Sequence, residues 1–160
     1  MRIVVMGVSG CGKTTIGEKL AVALQATFID ADDLHPLANK DKMTNGIPLK
    51  DEDRWPWLES VGLALAAHND IVIACSALKK SYREKLSGLA QNIQFIHLTG
   101  NRETLRERLL GRNGHFMPVE LLESQLQELE PLDASELGTE IAIDQSVEII
   151  IDECITFVRK

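Results

Sequence analysis

Near its amino end the chain reads RIVVMGVSGCGKTT, in which Gly7, Gly12, Lys13 and Thr14 fall at the spacing GxxxxGK[ST]. The motif directly follows a short apolar run and opens a stretch of helical period, which is the context such a loop requires. Glycines let successive backbone N–H groups converge on a phosphate with no Cβ in the way, and a helix start adds partial positive charge. A lysine at this place spans β- and γ-phosphates, and the hydroxyl after it suits Mg²⁺, which takes oxygen ligands and few of them from protein. The loop Gly7, Val8, Ser9, Gly10, Cys11, Gly12, Lys13, Thr14 and Thr15 is therefore expected to hold ATP. Lys13 would act in catalysis and Thr14 at the metal, with Cys11 a small filler.

A second constellation, FIDADDLH, places Asp30 and Asp32 at alternate positions after the next apolar run. Phosphoryl transfer to an alcohol is mostly positioning and charge neutralisation, with a carboxylate accepting the hydroxyl proton late. An aspartate ahead of a helix can equally be an N-cap. The stretch resembles the Phe-x-Asp-x-Asp of shikimate kinases. That resemblance implies Asp30 in the Mg²⁺ shell and Asp32 as the catalytic group that orients and deprotonates the acceptor. A third motif, RLLGR, sets Arg108 and Arg112 four apart on one helix face, so both guanidiniums can reach one ligand. It resembles the lid entrance of adenylate kinases, which implies nucleotide contacts for the pair.

Other users of such a loop fit less well. No Asp-x-x-Gly element occurs, and NKDK at 39–42 lacks the final aspartate of a guanine reader. The third apolar run ends in Cys75 and Ser76 rather than the Asp-Glu of motor ATPases.

These residues need a scaffold that gathers strand ends. Apolar runs at 2–6, 26–29, 71–75, 94–98 and 140–143 alternate with helical stretches at 13–25, 57–67, 78–86, 103–110, 119–129 and 146–158. That alternation predicts an α/β fold, a three-layer αβα sandwich on a five-stranded, mainly parallel sheet. In the last helix Val147, Ile150, Ile151, Cys154, Ile155 and Val158 form one apolar stripe. Two stretches fit neither period. Residues 30–55 are expected to form the substrate-binding segment and 112–118 a short lid, since ligands in open α/β sheets sit beyond the carboxyl ends of the strands.

At 160 residues the chain is expected to be one domain, 1–160. Its formal net charge of −7 argues against a nucleic-acid partner or an anionic membrane surface. No apolar run approaches a membrane span or signal-peptide core, and three widely separated cysteines fit reduced thiols, so a cytoplasmic protein without disulfide or structural zinc is expected.

Taken in order, HPLANKDKMTNGIPLKDEDRWPWL, CSALKKSYR and GRNGHFMP resemble the gluconate kinase family over almost the whole chain. The resemblance implies a P-loop kinase that uses ATP and Mg²⁺ to phosphorylate D-gluconate at its 6-hydroxyl, working as a homodimer. Another small-molecule kinase of the same fold is the alternative, followed by a nucleotide-binding regulatory module. An aldonic acid carries a carboxylate at the end opposite its primary alcohol, so its pocket needs a cation remote from Lys13. Arg54 is the candidate, against a plain salt bridge to Asp51 or Asp53. His35, Arg83 and His115 are further candidate substrate contacts; Lys79, Lys80 and Arg83 follow the third run on one helical turn near the expected γ-phosphate, where one or two of them would touch substrate unless the turn is simply an exposed helix start.

Overall fold

The computed structural model describes residues 1–111 and 120–160. Five strands, β1 (Arg2–Met6), β2 (Thr27–Asp30), β3 (Ile71–Ala74), β4 (Ile93–Thr99) and β5 (Gly138–Ala142), form one sheet in the order β2-β3-β1-β4-β5. Every pairing among the described residues is parallel, so the sheet they form is wholly rather than mainly parallel.

Helices cover both faces. In β1, Ile3 and Val5 enter a core with α1 (Lys13–Leu24), α5 (Arg102–Leu110), α6 (Glu120–Glu128) and α7 (Val147–Val158). Val4 and Met6 enter the opposite core with α3 (Asp51–Ala67) and α4 (Lys80–Leu89). This double burial explains why the strand reads as an unbroken apolar run rather than an alternation. The expected stripe of α7 is realised, with Ile150 and Cys154 buried and Val147, Ile151, Ile155 and Val158 packed on the same core.

The chain leaves β1 for α1 on one face and β3 for α4 on the other, so their carboxyl ends open into a crevice. The Gly7 N–H donates to the Ser76 carbonyl at 3.3 Å and ties the two exits together.

Residues 30–55, which show no period in the sequence, are largely ordered as helix. A 3-10 turn (Ala31–Leu34) and α2 (Leu37–Thr44) precede α3, which starts six residues before the Trp57 expected from the pattern. Pro56 lies within α3. The carbonyl that loses its N–H partner belongs to Glu52, on the exposed side where water can replace it. The amino end is secured by Asp53, whose carboxylate accepts from the Lys50 N–H at 2.8 Å and pairs with Lys42 at 3.0 Å. Among the described residues no helix is long and apolar enough to cross a membrane.

Candidate active site

The loop after β1 is shaped by its glycines. Gly7 has φ of 143°, and a Cβ there would lie 2.7 Å from Cys11 Sγ and 2.9 Å from the Leu98 carbonyl. Gly12 takes φ of 94° as N-cap of α1, a left-handed conformation that costs other residues roughly 1 kcal/mol or more. The first turn of α1 has neither a side-chain cap nor an acidic residue, whereas α5 is capped by Asn101 and α7 by Ser146. Its amide N–H groups are left for an external anion. Lys13 Nζ curls over the loop and donates to the Val8 carbonyl at 3.1 Å.

Asp30, at the end of β2, joins two halves of the site. One oxygen accepts from Thr14 Oγ1 at 2.8 Å and the other from the Asp32 backbone N–H at 2.9 Å. The second bond makes Asp30 the N-cap of the turn carrying Asp32, so the capping alternative and a role at the site coexist in one residue. Burial raises the Asp32 carboxyl above the usual carboxylate range, opposed by Lys13 and reinforced by Asp30 and Asp33. A buried carboxylate with a raised pKa is a stronger proton acceptor.

A cleft with about 540 Å³ of empty space, open to solvent, runs from this point. Lys13, Asp32 and Ser76 line it together with His35, Arg54, Trp57 and Gln125. The turn bearing Asp32 is held by Trp57, whose indole Nε1–H donates to the Ala31 carbonyl at 2.7 Å. His35 stacks on the same indole with ring centres 4.0 Å apart. Its Nδ1 accepts from Asn39 Nδ2 at 3.1 Å, which leaves the proton on Nε2. Burial, with Arg54 and Lys40 nearby, pushes its pKa down to about 4, so the ring is neutral at pH 7.

Arg54 lies in the cleft wall, but its partner is neither Asp51 nor Asp53. Glu128 takes both terminal nitrogens, with Nη2 to Oε2 at 2.9 Å and Nη1 to Oε1 at 3.3 Å, while Nη1 also donates to Tyr82 Oη at 2.8 Å. Asp51 enters indirectly, by accepting from the Tyr82 hydroxyl and from Lys79 at 3.2 Å.

The structure does not bring Arg83 to this cleft. It is 1% exposed, pairs with Glu136 at 2.8 Å and donates to the carbonyls of Ala77, Leu78 and Pro131. These bonds clamp the turn after β3, where Ala77 sits at φ of 44°. Lys79 and Lys80, the other cations of Arg83's helical turn, are partly exposed, pair with Asp51 and Asp133, and do not line the cleft either.

A separate hollow, open to solvent and with about 860 Å³ of empty space, lies on the other side of the loop, lined by Gly10, Gly12, Thr15, Arg108, Gln145 and Val147 among others. Arg108 is anchored there by Nη2 donating to the Ile143 carbonyl at 3.2 Å. Arg112 and His115 lie outside the described residues.

Gln125 is a contact the sequence pattern hides. Its Oε1 accepts from the Ser9 N–H at 2.7 Å, joining α6 to the phosphate loop. The available signal was a polar side chain on the stripe of Leu121 and Leu122, both buried.

A family model described as shikimate kinase matches residues 9–147. The thermosensitive gluconokinase of Escherichia coli is 47% identical, with 94% of this chain and 83% of the relative aligned. A probable gluconokinase of Xenopus tropicalis is 45% identical over 96% of this chain and 90% of its own. The chain belongs to the gluconokinase family. It is thus a kinase of the shikimate kinase-like group, and kinases of this kind use ATP. A crystal structure of a gluconokinase from Sinorhizobium meliloti superposes with a TM-score of 0.92 at 44% identity, covering 99% of this chain and 91% of that one. The gluconokinase family thus carries the P-loop kinase fold expected from the motif order.

Proposed function

We propose that this chain transfers the γ-phosphoryl group of ATP to the 6-hydroxyl of D-gluconate, giving 6-phosphogluconate and ADP. The observation that carries the reading is one cleft with a phosphate loop and buried carboxylate at one end and a guanidinium in its wall. An aldonic acid has the matching ends, an alcohol and a carboxylate.

In this reading the loop from Gly7 to Thr15 holds the triphosphate, and Lys13 leaves the Val8 carbonyl to neutralise charge developing on the transferred group. Arg108 borders the base of the nucleotide in the hollow beside the loop. Asp32 orients the 6-hydroxyl and takes its proton, a task supported by its burial and raised pKa. The neutral His35 donates through Nε2 to a sugar hydroxyl, and Arg54 receives the carboxylate. Arg112 and His115 complete the nucleotide and acceptor contacts in this proposal.

Thr14 and Asp30 supply hard oxygen donors bonded to each other at 2.8 Å, a set that fits Mg²⁺ with few protein ligands. These two residues would hold the ion, which when bound would neutralise phosphate charge. The proposal extends to a cytoplasmic homodimer acting on two small molecules, with no nucleic-acid or membrane partner.

The test is ADP release by purified protein across gluconate, other sugar acids, shikimate and nucleoside monophosphates. Highest kcat/KM on gluconate is expected. Protein that binds ATP but releases no ADP in response to millimolar gluconate would refute the assignment.

A further inference from the structure

Arg54 is held in an unusual way for a cation proposed to meet a ligand. Of the guanidinium N–H groups, those on Nη1 are engaged by Tyr82 and Glu128, and one on Nη2 is engaged by Glu128. Neither Tyr82 nor Glu128 lines the cleft, whereas Arg54 does. What remains is the side-on edge, Nε–H with the neighbouring Nη2–H, which has no protein partner among the described residues. That edge is itself a fork for a carboxylate. Nε is not sealed from solvent either, since the only fully enclosed side-chain nitrogen or oxygen without a hydrogen bond among the described residues is His97 Nδ1.

The anchors are firm. Tyr82 is 1% exposed, its hydroxyl is fixed by Asp51, and its ring lies 5.3 Å from the guanidinium carbon. Glu128 ends α6, the helix whose Leu121, Ser124 and Gln125 line the cleft and whose Gln125 bonds the phosphate loop. Residues three apart share a helix face, so one face of α6 touches both the loop and the guanidinium.

From this geometry we infer that Glu128 is a positioning residue for acceptor recognition, holding Arg54 from behind so that its Nε–Nη2 edge is presented to the acceptor's carboxylate. The inference rests on the reading of Arg54 as the carboxylate site. Glu128 also meets the charge of Arg54. It compensates the buried guanidinium in the free protein, so recognition depends on two directed hydrogen bonds rather than on a naked cation. Without it the long side chain must be ordered by the ligand, and that ordering weakens binding.

The experiment is steady-state kinetics of Glu128→Ala, Glu128→Gln, Arg54→Ala and the Arg54→Ala/Glu128→Ala pair in the full chain. In Glu128→Ala, KM for gluconate is expected to rise on the order of tenfold, from lost preorganisation. Its kcat and KM for ATP should stay within about twofold, which also reports an intact fold. Glu128→Gln keeps the shape and one acceptor, and it should recover most of the affinity. In the Arg54→Ala background the Glu128 change should add nothing, because it acts through that arginine. A gluconate KM that is unchanged or lower in Glu128→Ala, or that rises equally with Arg54 absent, overturns the inference while leaving the carboxylate site standing. An Arg54→Ala enzyme with unaltered gluconate KM overturns that site and the inference together.

Discussion

Replacing Trp57 by Phe isolates what holds the turn that carries Asp32. The indole does two separate things there: it donates to the Ala31 carbonyl at 2.7 Å and stacks on His35 at 4.0 Å. Phenylalanine retains part of the stack and loses the donor. Ala31 is fully buried and Trp57 is 2% exposed, so water cannot easily take the vacated place. A buried carbonyl left unpaired costs about 1–3 kcal/mol, and the smaller ring adds a cavity cost of about 1 kcal/mol. The sum is a loss of about 2–4 kcal/mol, which for a chain of this size lowers Tm by roughly 4–16 °C. Urea unfolding should show the loss as a lower midpoint with unchanged m-value. Because Asp32 follows Ala31 directly, kcat should fall about tenfold or more at a temperature where the variant is folded, with KM for ATP little changed. A variant within 0.5 kcal/mol of the parent (about the spread of neutral surface changes) with full kcat would show that the indole bond does not hold the turn.

Asp32→Asn should lose on the order of 10²-fold or more in kcat yet gain stability at pH 7. The folded-state pKa of Asp32 is raised, so its ionised form is better off unfolded, and removing the charge relieves that penalty; a lower Tm would contradict it. His35 has the opposite consequence at acid pH. With its pKa at about 4 against 6.5 unfolded, stability should fall as pH drops from about 6.5 to 4, and His35→Gln should flatten this part of a urea-midpoint profile. Arg83→Met should cost about 3–5 kcal/mol by leaving Glu136 and three carbonyls without their partner. Its gluconate KM, measured where it is folded, should match the parent, and a selective rise in that KM would return Arg83 to the acceptor site.

The phosphate loop is legible in sequence because its chemistry dictates residue type at consecutive positions. The same holds for strands buried on both faces, which leave an unbroken apolar run. Residues 30–55 are not legible, since their order comes from contacts remote in sequence. Asn39, buried within α2, reaches both His35 Nδ1 and the Asp53 carbonyl, and no local period records such a bridge. The helix start at Asp51 is hidden for a related reason: α3 tolerates Pro56 because the orphaned carbonyl faces water, and exposure is a property of the fold. Arg54 and Arg83 show the limit most plainly. Both are arginines near acidic residues in the sequence, and both are buried in ion pairs with partners about fifty or more residues away. Only one of them borders the cleft.

Asp30 has a consequence for how this scaffold can change. A single carboxylate serves the hydroxyl of Thr14 with one oxygen and the turn of Asp32 with the other. Donor and acceptor halves therefore share a part that cannot be altered for one without disturbing the other. New acceptor specificities, whether evolved or engineered, must be written elsewhere, in the walls supplied by α2, α3 and α6, while the end of β2 stays as it is.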